Sequence, residues 1–343
     1  MLGRMALMRL LILGGTRFLG RATAVAASAA GWNVTTFNRG RSGSDLPDVQ
    51  AIRGDRGAAV DLARLAESGP WDAVVDTSGY VPRDTLAVAR VLEPVADRYL
   101  FVSTTSVYQD WPVKPLTEES ALLACPPDAG PDFGVDVEDG PTRYGYQKSG
   151  CEAAVREVFG DARTIVVRPG VILGPGEYVG RLPWWLRRVA AGGNVLAPGF
   201  PDRTIQVIDV RDVAAFMVHS VRGSLSGAYN VTAPVGSETF GGLLSACAGV
   251  TGSSATFTWV PDETLVSRGV RQWSELPLWR TYVGTWRVDS TRAQSAGLKC
   301  RPLHRTVADT WDWMTSEAQA TVDERSAEIG LSPDKEREIL ASV

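Results

Sequence analysis

The most constraining stretch of this 343-residue chain lies near its start, where an apolar run at 10–13 passes directly into Gly14-Gly15-Thr16-Arg17-Phe18-Leu19-Gly20. A strand that ends in glycines and reopens as an amphipathic helix has a specific use. The glycines let the backbone turn sharply, and the first N–H groups of the helix then face an anion such as a pyrophosphate. A G-x-x-G-x-x-G spacing would need glycine at 17. Arg17 stands there instead, exchanging close backbone approach for a guanidinium suited to phosphate.

The same alternation continues downstream. Apolar or β-branched runs at 34–37, 49–52, 73–76, 99–103 and 164–168 read as strands. Amphipathic stretches at 18–30, 58–67, 84–92 and 144–159 read as helices. Strands alternating with helices predict an α/β chain with a Rossmann-type doubly wound parallel sheet. The texture changes after Arg168, where eight of the 11 tryptophans fall, and a smaller C-terminal α/β substrate-binding domain is expected there. The expected division is 1–168 plus about 205–225 for the dinucleotide domain, and about 169–204 plus 226–315 for the substrate domain. Residues 316–343 are expected as a helical tail, with Ser332-Pro333 opening its last helix. Residues 122–141 hold four prolines and the acids Asp136, Glu138 and Asp139, and read as an acidic surface loop or as part of a lid.

Cofactor choice in such a sheet is set at the end of the second strand, where an acid accepts from the ribose 2′-hydroxyl and repels a 2′-phosphate. The chain has no acid there. Asn38 is followed by Arg39 and Arg41, which favours NADP (NADPH). Asp55 is placed either to accept from the adenine amino group or to cap the next helix.

Tyr144 and Lys148 stand at i and i+4, on one helix face. With 8 tyrosines and 4 lysines, chance supplies about 0.1 such pairs. A free phenol titrates near ~10, and a neighbouring ammonium favours its phenolate. Upstream, Ser103-Thr104-Thr105-Ser106 follows the fifth strand and offers hydroxyls to a substrate oxygen, or simply caps its own turn.

Other chemistries are disfavoured. The four cysteines (Cys125, Cys151, Cys247, Cys300) have no metal-ligand spacing, and only His219 and His304 are present, so no metal site is expected. A net charge of −4 offers little attraction to nucleic acid. No apolar run approaches the ~18 residues of a membrane span, and the run at 10–13 is too short for a signal segment. A soluble, cytoplasmic protein is expected.

Together, the turn at 14–20, Ser103–Tyr108, the YGxxKxxxE pattern from Tyr144 to Glu152, Arg168-Pro169-Gly170 and Val210-Arg211-Asp212-Val213-Ala214 resemble an extended short-chain dehydrogenase/reductase. This is the NAD-dependent epimerase/dehydratase family. The resemblance implies Thr104 as the hydroxyl that orients the substrate oxygen, Tyr144 as general acid/base, and Lys148 as its activator and a ribose ligand. It places Ser78 and Gly79 along the cofactor riboses and Pro169 and Val171 beside the nicotinamide. Thr105, Trp184, Trp185 and Arg203 become candidate substrate contacts, although a tryptophan more often fills a core. Family dehydratases carry acids just after the catalytic threonine. Thr105 and Ser106 stand there, which points away from elimination and towards reduction of a small-molecule carbonyl. A sugar or nucleotide-sugar epimerase with retained NAD(P) is the alternative. Nucleotide-sugar enzymes of the family often carry a diphosphate-binding arginine at the position held here by Ile205, with Arg203 two residues earlier. The 14–20 turn also resembles that of chloroplast stem-loop-binding relatives, which implies a non-catalytic RNA binder as a third reading. Family members are often dimers, so a homodimer is a further expectation.

Overall fold

The computed structural model describes residues 7–223, 225–316 and 327–342. The chain forms two compact units. One comprises Met1–Gly170, Arg211–Val231 and Val288–Lys299; the other comprises Val171–Val210, Thr232–Arg287 and Cys300–Val343.

The first unit is built on a seven-stranded sheet in which every pairing is parallel. Six strands are β1 (Arg9–Leu13), β2 (Asn33–Asn38), β3 (Gln50–Arg53), β4 (Ala73–Asp76), β5 (Tyr99–Val102) and β6 (Thr164–Pro169). The order runs from Gly227–Val231 at one edge through β6, β5, β4, β1 and β2 to β3 at the other. Central strands covered on both faces must be apolar throughout. Leu10, Leu11 and Ile12 of β1 and Ala73, Val74 and Val75 of β4 accordingly have no exposed surface. The helices α1 (Phe18–Ala29), α2 (Ala59–Glu67), α3 (Pro82–Leu92) and α4 (Arg143–Arg163) connect these strands, and α4 is interrupted at Gly160, where φ is +68°. One face of α3 and one of α4 pack into the same core through Val88, Leu92, Cys151, Val155 and Phe159. These elements fall within four residues of the expected bounds, α4 running on to Arg163 beyond its break at Gly160.

Gly227–Val231 departs from the expected division. Placed in the substrate domain by the sequence, it instead pairs in register with β6, Gly227 opposite Ile165 and Val231 opposite Pro169. Its sequence, GAYNV, lacks the apolar run of a central strand, because Asn230 is fully buried at an edge held by side-chain bonds. Residues 288–299 also return to the first unit, whereas 205–210 stay in the second, where Val207–Asp209 pairs with Val171–Leu173.

A buried polar network ties the first unit's layers together. Arg168, at the end of β6, grips Glu152 of α4 in a bidentate pair, Nε to Oε1 at 2.9 Å and Nη2 to Oε2 at 2.6 Å. Ser103 Oγ donates to the same carboxylate at 2.5 Å. Arg168 Nη1 donates to the Tyr108 hydroxyl at 2.9 Å, and that hydroxyl donates to Asn230 Oδ1 at 2.7 Å. Asn230 Nδ2 donates to the Asp289 carbonyl at 3.0 Å. Each acceptor is matched, as buried polar groups require.

The second unit has its own core, including Trp185, Leu186, Phe240, Leu244 and Trp279. Helices Arg181–Ala190, Phe240–Thr251 and Leu303–Thr315 surround it, and Asn194–Pro198 pairs in parallel with Thr256–Val260. The expected tail is part of this unit rather than an appendage, although 317–326 lie outside the described residues. Ser332 caps the helix Pro333–Leu340 by accepting from Lys335 N. Glu336 of that helix accepts from Arg188 Nε and from Leu196 N.

Removing one partner of a buried, hydrogen-bonded ion pair costs about 3–5 kcal/mol. Glu152→Gln, which leaves Arg168 without its counter-charge, is expected to lose that much in urea unfolding; a loss under about 1 kcal/mol would show the pair to be dispensable.

Candidate active site

The strand order reverses between β1 and β4, and in open α/β sheets ligands bind outside the carboxyl ends of the strands at such a point. The turn after β1 and the segment after β4 both lie there. Gly14 and Gly15 have φ of +103° and +93°, in the region that favours glycine. A Cβ on Gly14 would lie 2.6 Å from Thr77 Oγ1, and one on Gly20 would lie 2.7 Å from the backbone N of Gly15. Thr77 Oγ1 is itself held by donating to the Leu13 carbonyl. The turn therefore closes on itself and on the segment after β4, so that only glycine fits. It carries Thr16, Arg17, Phe18 and Leu19 into α1, whose N-terminus has no side-chain cap among the described residues and no acid in its first turn. Those N–H groups and the helix dipole suit a pyrophosphate.

At the end of β2, Asn38 Oδ1 accepts from Gly40 N at 2.8 Å and from Arg53 Nη1. Arg53 is also paired with Asp45. Arg39 and Arg41 are exposed and form no ion pair among the described residues. Asp55 Oδ1 accepts from Gly57 N, while Ala58 occupies the N-cap of α2, so Asp55 closes a local turn rather than capping that helix.

Beyond β4, Asp76 is fully buried and grips Arg56 in a bidentate pair at 2.8 and 3.1 Å. Burial would raise its carboxyl pKa, but the Arg56 guanidinium and the Ser78 N–H hold it below the usual carboxylate range. Ser78 is fixed in turn, its N–H on Asp76 and its hydroxyl against Arg56. Gly79 sits so close to the Phe101 ring that a Cβ would lie 2.6 Å from it.

Thr104 lies on the segment after β5, and Tyr144 and Lys148 lie one turn apart on α4. Thr104 Oγ1 accepts from Ser106 N at 3.2 Å and donates to Ser106 Oγ at 3.4 Å, a long bond that a substrate oxygen could replace. Thr105 beside it is buried. Tyr144 lies in the first turn of α4 and is 44% exposed. Thr142 caps this helix through Gly145 N, and Asp136 accepts from Arg143 N. The acidic loop is thus fastened to the end of α4 that carries Tyr144, and Gln147 adds two bonds to the carbonyls of Gly130 and Phe133.

One turn further, Lys148 is buried, and its Nζ donates to the carbonyls of Gly79 at 2.7 Å and Val102 at 2.8 Å. An ammonium has three donors, so one N–H remains for a ribose hydroxyl or a phenolic oxygen. Burial lowers the Lys148 pKa to about 8, with Asp76 among the groups opposing the fall. The rings of Tyr80 and Phe101, each centred 4.7 Å from the Lys148 Nζ, carry no signal in the chain. Nor did the sequence suggest the Arg56–Asp76 pair. An aspartate ending an otherwise apolar strand was the available signal.

The remaining sequence candidates lie elsewhere. Pro169 ends β6, and Val171 opens a strand of the second unit. Trp185 has no exposed surface, and its Nε1 donates to the Pro277 carbonyl. It is a core residue, which corrects its expected role as a substrate contact. Trp184 packs edge-on against it at 4.6 Å and against Gly330. Arg203 is bound to Asp262 and to the Arg280 carbonyl. Among the described residues no cluster suits a metal ion, and no helix is long and apolar enough to cross a membrane.

A glycine turn at the switch point of a parallel sheet, with a Tyr–Lys pair on a neighbouring helix, defines a dinucleotide-binding fold of the short-chain dehydrogenase/reductase type. The chain belongs to the NAD dependent epimerase/dehydratase family, whose sequence profile matches residues 10–232. It is 26% identical over 258 residues to the chloroplast stem-loop binding protein of 41 kDa b of Arabidopsis thaliana, covering 70% of this chain and 62% of that protein. It is 29% identical over 192 residues to 2′-dehydrokanamycin reductase of Streptomyces kanamyceticus, covering 54% of this chain and 50% of that enzyme. Both alignments thus span less than two thirds of these relatives. Among solved structures, the Bordetella bronchiseptica enzyme WbmG in complex with NAD superimposes with a TM-score of 0.68 at 16% identity, covering 94% of this chain and 99% of that one. UDP-glucose 4-epimerase of Thermotoga maritima with UDP-glucose gives 0.65 at 16% identity, covering 90% and 98%. At these identities the likeness is one of fold.

The depressed pKa of Lys148 has a stability signature. Below about 8 both folded and unfolded chains hold the proton, and the cost of burying the ammonium is fully present. As pH rises from there towards the unfolded value, the unfolded chain binds more protons, so this residue's contribution to stability increases. Urea unfolding of wild type and Lys148→Met at pH ~7.5 and ~10 should show wild type gaining on the order of 2 kcal/mol relative to the variant at the higher pH. No relative gain would mean that Lys148 titrates normally.

Proposed function

We propose that this protein reduces a carbonyl group on a small molecule with NADPH. The end of β2 carries the cofactor preference. It presents no carboxylate, the Asn38 oxygen is already engaged by Gly40 and Arg53, and Arg39 and Arg41 stand exposed without ion pairs among the described residues. A 2′-phosphate is welcomed by such a surface and meets no repulsion. The turn at 14–20 and the N-terminus of α1 hold the pyrophosphate, with Ser78, Gly79 and Lys148 along the riboses and Pro169 and Val171 towards the nicotinamide. Asp55, exposed beyond β3, is left to the adenine. When bound, the dinucleotide supplies the hydride.

The protein's own groups handle the oxygen. Thr104 donates a hydrogen bond from its hydroxyl to the substrate carbonyl and keeps its proton. Tyr144, more exposed than the lysine behind it, delivers the proton as charge builds on that oxygen. The third N–H of Lys148 supports the resulting phenolate. Thr105 and Ser106 provide no carboxylate for elimination, which supports reduction over dehydration. The likeness to 2′-dehydrokanamycin reductase supports the same reading. A homodimeric cytoplasmic enzyme is part of the proposal.

A second reading, an RNA binder, is favoured by the alignment with the chloroplast stem-loop binding protein. The net charge of −4 and the presence of Thr104, Tyr144 and Lys148 in the chain weigh against it. An epimerase, the third reading, retains its cofactor through purification in stoichiometric amount and consumes no NADPH.

A panel of small ketones and aldehydes assayed by loss of NADPH absorbance tests the activity. Tyr144→Phe is expected to lower turnover at least ~10²-fold without weakening NADPH binding; near wild-type turnover would refute the role of the phenol. Arg39→Ala combined with Arg41→Ala should weaken NADPH roughly 10–100-fold and leave NADH unchanged. A fluorescence titration in which wild type prefers NADH would overturn the assignment of the 2′-phosphate site.

A further inference from the structure

We propose that Tyr80 is a positioning residue of the Tyr144–Lys148 pair, its ring face bearing the Lys148 ammonium so that the lysine stays charged and fixed beside the reactive phenol. The Tyr80 ring is centred 4.7 Å from the Lys148 Nζ and 6.4 Å from the Tyr144 ring. Its backbone follows Gly79, whose carbonyl is one of the two that Lys148 holds. The same short segment therefore supplies both a hydrogen-bond acceptor and a π-face to one ammonium.

A ring present only for core packing would be buried. Tyr80 is 51% exposed, at the same margin as Tyr144. The other ring on the ammonium, Phe101, lies in the core with no exposed surface. Tyr80 is thus the outer wall of the lysine's enclosure, and Phe101 the inner one.

The charge balance around Lys148 makes this wall matter. On its own helix lie Glu152, which attracts the ammonium, and Cys151, a thiol pushed up to about 11 by burial and so neutral at physiological pH. From the end of β4 comes Asp76, but its charge is shared with Arg56, which repels the ammonium. Burial outweighs these terms and brings the lysine to about 8. A π-face favours a cation most where water is excluded. Removing the ring takes away one of the groups that favour the charged form against burial.

The proposal builds on the role given to Lys148 above, but its test needs neither cofactor nor substrate, so failure of the reductase reading would leave it standing. The chain has four lysines, Lys114, Lys148, Lys299 and Lys335. The Nζ resonances of a ¹⁵N-lysine-labelled full-length sample are therefore few, and Lys148→Met identifies the one of interest. Tyr80→Leu keeps the enclosure apolar while removing the π-face, and should lower the Lys148 midpoint by about one pH unit, a tenfold change in the ammonium-to-amine ratio. Tyr80→Phe should leave it unchanged, and Tyr80→Trp should hold or raise it. An unchanged midpoint in Tyr80→Leu overturns the proposal. So does a fall in Tyr80→Phe as large as in Tyr80→Leu, which would assign the effect to the hydroxyl. If Tyr80→Leu does not fold, Tyr80→Trp decides: a held or raised midpoint supports the ring, and a lowered one overturns it.

Discussion

The bidentate contact between Arg168 and Glu152 is the constraint on which the rest of the first unit depends. It joins the end of β6 to the middle of α4, and through Ser103 and Tyr108 it reaches the segment after β5 and the edge strand Gly227–Val231. Two charges taken out of water repay their desolvation only when every remaining lone pair and proton finds a partner. Here the partners come from four separate elements. α4 can therefore sit in only one rotation against the sheet, and that rotation carries Lys148, one turn before Glu152, onto the carbonyls of Gly79 and Val102.

A second buried pair, Arg56 with Asp76, does the corresponding work at the switch point. It fixes the segment running from Asp76 to Gly79, against which the glycine turn after β1 closes. The two pairs divide the labour. One orients α4, and the other shapes the floor on which a dinucleotide would lie. Under the proposed function, the groups that would touch substrate or cofactor are the neutral or half-exposed ones between them, Thr104, Tyr144 and the glycine turn. Charge is kept where it holds the scaffold, apart from Lys148, whose ammonium faces both tasks.

β1, β2, β4, β5 and β6 were legible because each is buried along most of its length and reads as an apolar or β-branched run, whereas the edge strand β3 is largely exposed and was marked only by the alternation around it. The glycine turn was legible because few other uses require such a sequence between a strand and a helix. The Tyr144–Lys148 spacing was legible because a helix places i and i+4 together whatever surrounds it. Gly227–Val231 was not legible, since Asn230 is tolerated there only through bonds to Tyr108 and Asp289, more than a hundred residues before it and some sixty after. Tyr80, Asp76 and Arg56 were missed for the same reason: strand order, not local pattern, brings them to Lys148. The tryptophans were ambiguous in the chain. Trp185 resolves into core only once its indole N–H is seen on the Pro277 carbonyl.

Neither unit is a continuous piece of chain. The sheet's edge strand lies near residue 230, and the carbonyl that Asn230 needs belongs to residue 289. The second unit's core waits for the carboxylate of residue 336 to satisfy Arg188 and the Leu196 N–H. During synthesis the nascent chain emerges with both halves incomplete, each holding unsatisfied buried groups until its last segment arrives. The first unit thereby waits for residues 288–299 and the second for residue 336, so the first has all its segments earlier in synthesis.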